Sequence, residues 1–228
     1  MSSPLLDFSS SQLADAMVRL TPLCLSFSAD HCSFTMKTLG QTESNLLANL
    51  DAPQLKEART KLADMILATD MSNHFDVTNK FQLKADSAAF DTEKGEDRQI
   101  MCNLLLHGAD LSNPVRPFGT ARKWAWFIIE EFSAQGDLEK KLSLPVTPMC
   151  DRQAVLTDVA KAKNQIGFGD YVIGPMYKQM SSFLTGLKPC LDNLAFNRSL
   201  WAAIGEGTMT VAEAEAKALL QPEPEPET

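Results

Sequence analysis

Apolar residues recur along most of this chain at intervals of three and four, while strictly alternating apolar and polar stretches and Asn-Gly hairpin signals are scarce. That period puts side chains on one face of an α-helix and predicts an all-α protein, a compact multi-helix bundle. Pro53 suits the first turn of a helix whose buried stripe is Leu55, Leu62, Met65, Ile66 and Thr69. A polar stretch, 91–97, precedes a helix carrying Ile100, Leu104, Leu105 and His107, which Asn113-Pro114 is expected to end, because a residue before proline avoids helical backbone. Thr120 can cap a further helix through the bulky apolar face of Trp124, Phe127, Ile128 and Phe132, stopping near Gly136. Residues 165–184 read as one long helix kinked at Pro175, and 197–204 as a final amphipathic helix. A short helix bearing Leu13, Met17 and Leu20 is expected near the N-terminus.

Composition narrows the class. Of 228 residues, 44% are hydrophobic and 22% charged, which suits a globular chain able to build a core. A net charge of −8 has the wrong sign for electrostatic binding to nucleic acid or an anionic membrane, so neither is an expected partner. Five widely spaced cysteines without a CxxC pair suit reduced thiols and a cytoplasmic location. No apolar run is long enough to span a bilayer, and MSSPLLDFSSS lacks the basic start of a secretory signal. The acidic, proline-rich end QPEPEPET cannot offset its own ordering entropy, and 206–228 as a whole is expected to be disordered.

Chemistry concentrates in LLLHGADLSNP (104–114), where His107 and Asp110 stand one turn apart on an apolar helix and can face a common direction. A carboxylate so placed can coordinate a divalent cation; the same residues also suit a core histidine bonded to a neighbour beside an aspartate capping a turn. Asp151 and Arg152 suit an ion pair that fixes a loop.

Together with LATDMSNHF (67–75), LPVTPMCDR (144–152) and NQIGFGDYVIGPMY (164–177), this segment resembles, in order and at similar intervals, the motifs of the class I 3′,5′-cyclic-nucleotide phosphodiesterase catalytic domain, over about residues 30–201. The resemblance implies an HD-domain-like helical bundle, incomplete on its N-terminal side, with 1–27 outside the likeness, 28–205 a partial catalytic domain and 206–228 a tail. It implies metal-dependent hydrolysis of cyclic AMP or cyclic GMP to 5′-monophosphates in signal transduction, with zinc and magnesium or manganese as metals and a cyclic nucleotide as ligand. Asp110 maps onto a metal ligand of the family. Gln165 maps onto the glutamine that bonds the purine edge, and Phe168 onto the aromatic that stacks on the base. An amide offers both donor and acceptor, and stacking on a base contributes about 1–3 kcal/mol. Asn113 resembles the asparagine that assists base recognition, and Leu111, Ile166, Met71 and Met149 resemble apolar pocket walls. Asp70, His74 and His107 are implied to support the site rather than to coordinate metal.

The chain departs from the family in one respect that bears on turnover. The family's HNxxHAxDV and HDxxHxGxxN motifs, which carry most metal-binding histidines and the general-acid histidine, are absent, so no catalytic residue can be named. Only His31, His74 and His107 are present, and Ser28 and Asp30 stand where the family has a glutamate and a histidine. Three readings remain open: part of a hydrolase; a catalytically dead pseudo-phosphodiesterase or fragment that binds a nucleotide without turnover; or a helical remnant whose exposed apolar surface is covered by a partner chain or a second copy.

Overall fold

A computed structural model describes residues 21–87 and 90–220, so the helix expected around Leu13, Met17 and Leu20 and the end of the acidic tail lie outside the described residues. The described residues form helices joined by turns and short irregular segments, with no strand, in two compact units divided between Asp110 and Leu111.

In the first unit, α1 (Thr21–Leu39), α2 (Ala52–Leu67), α3 (His74–Asp86) and α4 (Gly95–Asp110) pack pairwise, α2 and α3 each against α4. The start of α2 follows from its sequence: Asp51 accepts from the Gln54 N–H at 2.9 Å, the Gln54 side chain returns a bond to the Asp51 N–H, and Pro53 sits in the first turn. Its expected apolar stripe is only half buried, and Thr69 lies beyond its last residue, Leu67. The apolar centre of this unit is Phe81 and Leu104, with Val77 and Ala68 beside them.

In the second unit, α5 (Phe118–Lys141), α6 (Asp158–Phe168), α7 (Gly174–Phe183), α8 (Lys188–Gly205) and α9 (Val211–Ala218) enclose a larger core. Phe118, Ala162, Leu200, Trp201, Ile204 and Ala214 form its central cluster, with Trp126 stacked on Trp201 at 5.6 Å. Helix α5 departs from expectation three times. It begins at Phe118 after Pro117, so Thr120 is an interior residue. It buries Ala121, Ala125, Ile129, Ser133 and Gly136, while Trp124 and Phe127 are exposed and touch each other edge to face. It also runs straight through Gly136, because the backbone of Cys150 passes so close that a Cβ there would lie 2.0 Å from the Cys150 carbonyl oxygen. The glycine and the small residues before it mark a close approach, which has the same composition as a stop signal.

Residues 158–183 form a nearly continuous rod whose irregularity precedes Pro175: a single π-helical turn, Gly169–Ile173, absorbs the missing proline N–H between α6 and α7. Helix α8 starts nine residues earlier than expected, and ends in a left-handed Gly207 (φ 73°), where Gly207 N–H bonds the Ile204 carbonyl and Thr208 N–H that of Ala203, each at 3.0 Å. The expectation of disorder over 206–228 fails for its first half. Thr210 and Glu213 form a capping box, α9 follows, Ala214 is fully buried, and Glu215 pairs with Arg122. Val211, Ala214 and Ala218, three and four residues apart, give α9 a narrow apolar edge that packs on the Trp201 cluster without bulky residues.

Candidate functional site

In the first unit, Asp70 caps the short turn Met71–Asn73, its Oδ1 accepting from the Ser72 N–H at 2.8 Å. Its Oδ2 is buried and has no hydrogen-bond partner among the described residues. The turn delivers His74 to the first position of α3, where its Nδ1 lies 2.9 Å from Nε2 of His107 on α4. One ring nitrogen must donate and the other accept, which suits two neutral imidazoles. Burial, and secondarily the facing His107, pushes His74 down to about 4. Burial likewise pushes His107 down to about 4, against the opposing pull of the Thr69 backbone and the Asp70 carboxylate. At neutral pH the pair is uncharged.

Asp110 ends α4 exposed to solvent, whereas His107, one turn earlier, is fully buried. The common direction expected of the two is therefore not what the helix presents. Partial desolvation raises the Asp110 carboxyl above the usual range, and the nearby His31 opposes that shift. A catalytic metal ion needs about three protein donors. His74 and His107 turn nitrogens toward each other, and no group of three or more His, Cys, Asp or Glu side chains converges among the described residues. The described donors thus do not compose a metal centre, and Asp110 stands alone as a candidate ligand.

In the second unit, Leu111 and Asn113 are half-buried at the turn Asn113–Val115, whose next two residues, Pro114 and Val115, are buried. Helix α8 pins this turn. Asn193 Nδ2 donates to the Val115 carbonyl at 3.1 Å, and Asn197 Nδ2 donates to those of Pro114 and Arg116, both at 2.8 Å. Gln165 and Phe168 sit three residues apart near the end of α6, half-buried on one side of the helix. The Gln165 amide is lightly held, its Nε2 lying 3.4 Å from Asn164 Oδ1. Ile166 instead packs against the core cluster around Trp201, so its side chain braces α6.

Asp151 and Arg152 do not pair with each other. Asp151 accepts from Lys140 at 2.7 Å; Arg152 makes a two-pronged bond to Glu130, both at 2.8 Å, and a third to Asp137. All three acidic or basic partners lie on α5, so adjacent charges splay to fasten the 150s loop along that helix. Two features escaped the sequence reading: the His74–His107 contact, joined across 33 residues, and the Asn193/Asn197 braces. The second had a signal, two asparagines four residues apart in a helix otherwise carrying Leu200, Trp201 and Ile204.

The description "3′5′-cyclic nucleotide phosphodiesterase" matches residues 26–194. The chain belongs to this family. Among its relatives, the 3′,5′-cyclic-nucleotide phosphodiesterase regA of Dictyostelium discoideum is 37% identical over 176 residues, which is 77% of this chain and 22% of that protein. The dual specificity calcium/calmodulin-dependent phosphodiesterase 1 of Drosophila melanogaster is 36% identical over 155 residues, 68% of this chain and 18% of that protein. Of solved structures, LmjPDEB1 in complex with IBMX superposes with a TM-score of 0.73 at 32% identity, covering 79% of this chain and 53% of that one. The phosphodiesterase domain of Salpingoeca rosetta rhodopsin phosphodiesterase gives 0.75 at 27% identity, covering 90% and 60%. This phosphodiesterase-family chain thus spans about a fifth of the length of these two curated relatives and a little over half of the solved chains. No helix among its described residues is long and apolar enough to cross a membrane.

Proposed function

We propose that this chain is the nucleotide-holding part of a phosphodiesterase catalytic domain that hydrolyses 3′,5′-cyclic AMP, cyclic GMP or both to the 5′-monophosphate. The observation that carries this reading is the family match across 26–194, which takes in Asp110, Asn113, Gln165 and Phe168 in order. Gln165 and Phe168, one turn apart and half-buried, can meet the edge and the face of one purine. Holding the base fixes where the phosphate falls, and that positioning is this chain's share of catalysis. Zinc with magnesium or manganese, by resemblance, would supply charge neutralisation and an activated water. Asp110 is the residue of this chain that could contribute a ligand, and the others would have to come from outside the described residues.

The test is a binding titration of the chain with cyclic AMP and cyclic GMP, with hydrolysis and bound metal measured on the same sample. Binding that Gln165→Ala weakens about tenfold supports the reading. Hydrolysis that persists unchanged in Asp110→Ala overturns the ligand role of Asp110. Binding of neither nucleotide, with or without added zinc and magnesium, overturns the nucleotide-holding role.

A further inference from the structure

Among the described residues, Ser143 is the only non-glycine with left-handed backbone (φ 58°). It closes the end of α5: its N–H bonds the Lys140 carbonyl at 3.1 Å, and the Leu144 N–H bonds that of Glu139 at 2.9 Å, a pairing that usually places glycine at this position. A side chain in that conformation costs about 1–2 kcal/mol, which glycine would avoid, so the strain accompanies a hydroxyl that glycine could not supply. Ser143 is exposed, and its hydroxyl makes no hydrogen bond among the described residues. Leu142 and Leu144 beside it are more than half exposed, and 144–147 have no regular structure. Lys140 and Lys141 precede the serine by three and two positions, an arrangement no other serine or threonine of the chain has. In a chain of net charge −8, two adjacent cations, a free hydroxyl and a following exposed leucine compose a patch that an acidic cleft with an apolar pocket can select.

We propose that Ser143 is a phosphorylation site for a protein kinase whose acidic substrate cleft reads Lys140 and Lys141, and that the phosphate releases Lys140 from Asp151. The γ-phosphoryl group of ATP passes to Ser143 Oγ. The Oγ–P bond forms, the bond from the γ-phosphorus to the β–γ bridging oxygen breaks, ADP departs with that electron pair, and the hydroxyl proton goes to the carboxylate base of the kinase. A kinase cleft holds its substrate extended, so the last turn of α5 has to open; helix ends open at low cost, and extension relieves the left-handed strain. The product carries about −1.5 to −2 new charges one turn from Lys140, at the negative end of the helix dipole. Before modification, Lys140 Nζ holds Asp151 Oδ1 at 2.7 Å, and the same oxygen accepts from the Gln153 N–H at 3.2 Å. Asp151 offers one negative charge, so the more highly charged phosphate takes the lysine. Residues 151–155 then loosen, while Arg152 keeps its bonds to Glu130 and Asp137.

The experiment incubates the folded chain with magnesium ATP and a serine kinase selective for basic residues at those two positions. Intact mass counts the phosphoryl groups and peptide mass spectrometry locates them. The expected result is a single group, on Ser143. Ser143→Gly suits the backbone angle, keeps the fold and should take none. Lys140→Gln combined with Lys141→Gln keeps the hydroxyl and should lower kcat/KM of the kinase at Ser143 about tenfold or more. Hydrogen exchange at 151–155 should quicken about tenfold in the phosphorylated chain. Absence of modification in the folded chain, or modification elsewhere with Ser143 untouched, overturns the site. An undiminished rate in the lysine variant overturns the recognition by Lys140 and Lys141. Unaltered exchange at 151–155 after phosphorylation overturns the release of Lys140.

Discussion

Among the described residues, those up to Asp110 bury four apolar side chains, Ala68, Val77, Phe81 and Leu104, beside six polar or charged ones: Ser28, Asp70, His74, Thr78, Asp97 and His107. The second unit reverses the proportion, with sixteen buried apolar residues, Val115 to Ala214, against three polar ones, Ser133, Glu139 and Asn197. The first unit therefore depends on satisfying polar groups inside it, and the second on apolar packing. Paired imidazoles and the buried carboxylate of Asp97, held by Lys84 at 2.8 Å and the Asp91 N–H at 2.9 Å, do in one unit what Trp201, Leu200 and Ile204 do in the other. Polar cores are sensitive to pH and to the loss of single partners; apolar cores are sensitive to volume.

The largest expected effect breaks the packed unit by volume. Gly136→Ala drives a methyl into the Cys150 carbonyl, a contact of 2.0 Å with backbone that cannot swing aside. We expect a loss of about 3 kcal/mol or more, a fall in Tm of roughly 6–12 °C, read by calorimetry. Gly119→Ala on the same helix, where a Cβ meets nothing within 4 Å, is the control and should change little. Truncating the first unit's main apolar residue, Leu104→Ala, should cost about 2–4 kcal/mol, with hydrogen exchange accelerating in α3 and α4.

Acid sharpens the same contrast. His74 and His107 have folded values near 4, below the usual 6.5, so the unfolded chain binds more protons between those limits. Stability contributed by the neutral pair is complete above about pH 6.5 and is lost as pH falls toward 4, by about 2 kcal/mol or more. Urea titrations at pH 7 and pH 5 check the sign: the midpoint should drop at pH 5, first in amides of 74–107. His74→Asn combined with His107→Gln keeps a hydrogen-bonding pair without a titrating ring and should flatten that slope. A slope unchanged in the double variant would place the acid sensitivity elsewhere.

The same contrast governs what could be seen in the sequence. Helices, the Pro53 start of α2 and the end of α4 ahead of Asn113-Pro114 are local, set by proline and period, and all three were legible; the Asp51 cap and the division into two units at Asp110 were not. Contacts joining distant segments were not. The glycine of α5 read as an end, because nothing nearby in sequence announces the Cys150 backbone that needs the room. Trp124 and Phe127 read as core for the converse reason, since a bulky apolar residue carries no mark of whether a neighbour reaches it. The candidate site was legible as motif, in Asp110, Asn113, Gln165 and Phe168. The arrangement around those residues was not, because His74 with His107 and Asn197 with the Asn113–Val115 turn are joined across 33 and more than 80 residues.

The smallest effect tests whether α9 belongs to the packed unit or merely follows it. Its eight residues are too few to be helical alone, so their order must come from the Thr210–Glu213 capping box, the Arg122–Glu215 pair and the burial of Ala214. Thr210→Ala removes the hydroxyl oxygen that accepts from the Glu213 N–H and should cost about 1 kcal/mol. If α9 is part of the unit, that loss appears in global unfolding, because Ala214 shares a cluster with Trp201 and Leu200. If α9 is only appended, Thr210→Ala frays 211–218 in hydrogen exchange and leaves the Tm where it was. Arg122→Ala separates the two further: Arg122 also lies 5.7 Å over the Trp126 ring, so in a joined unit its loss should loosen Trp126 together with α9.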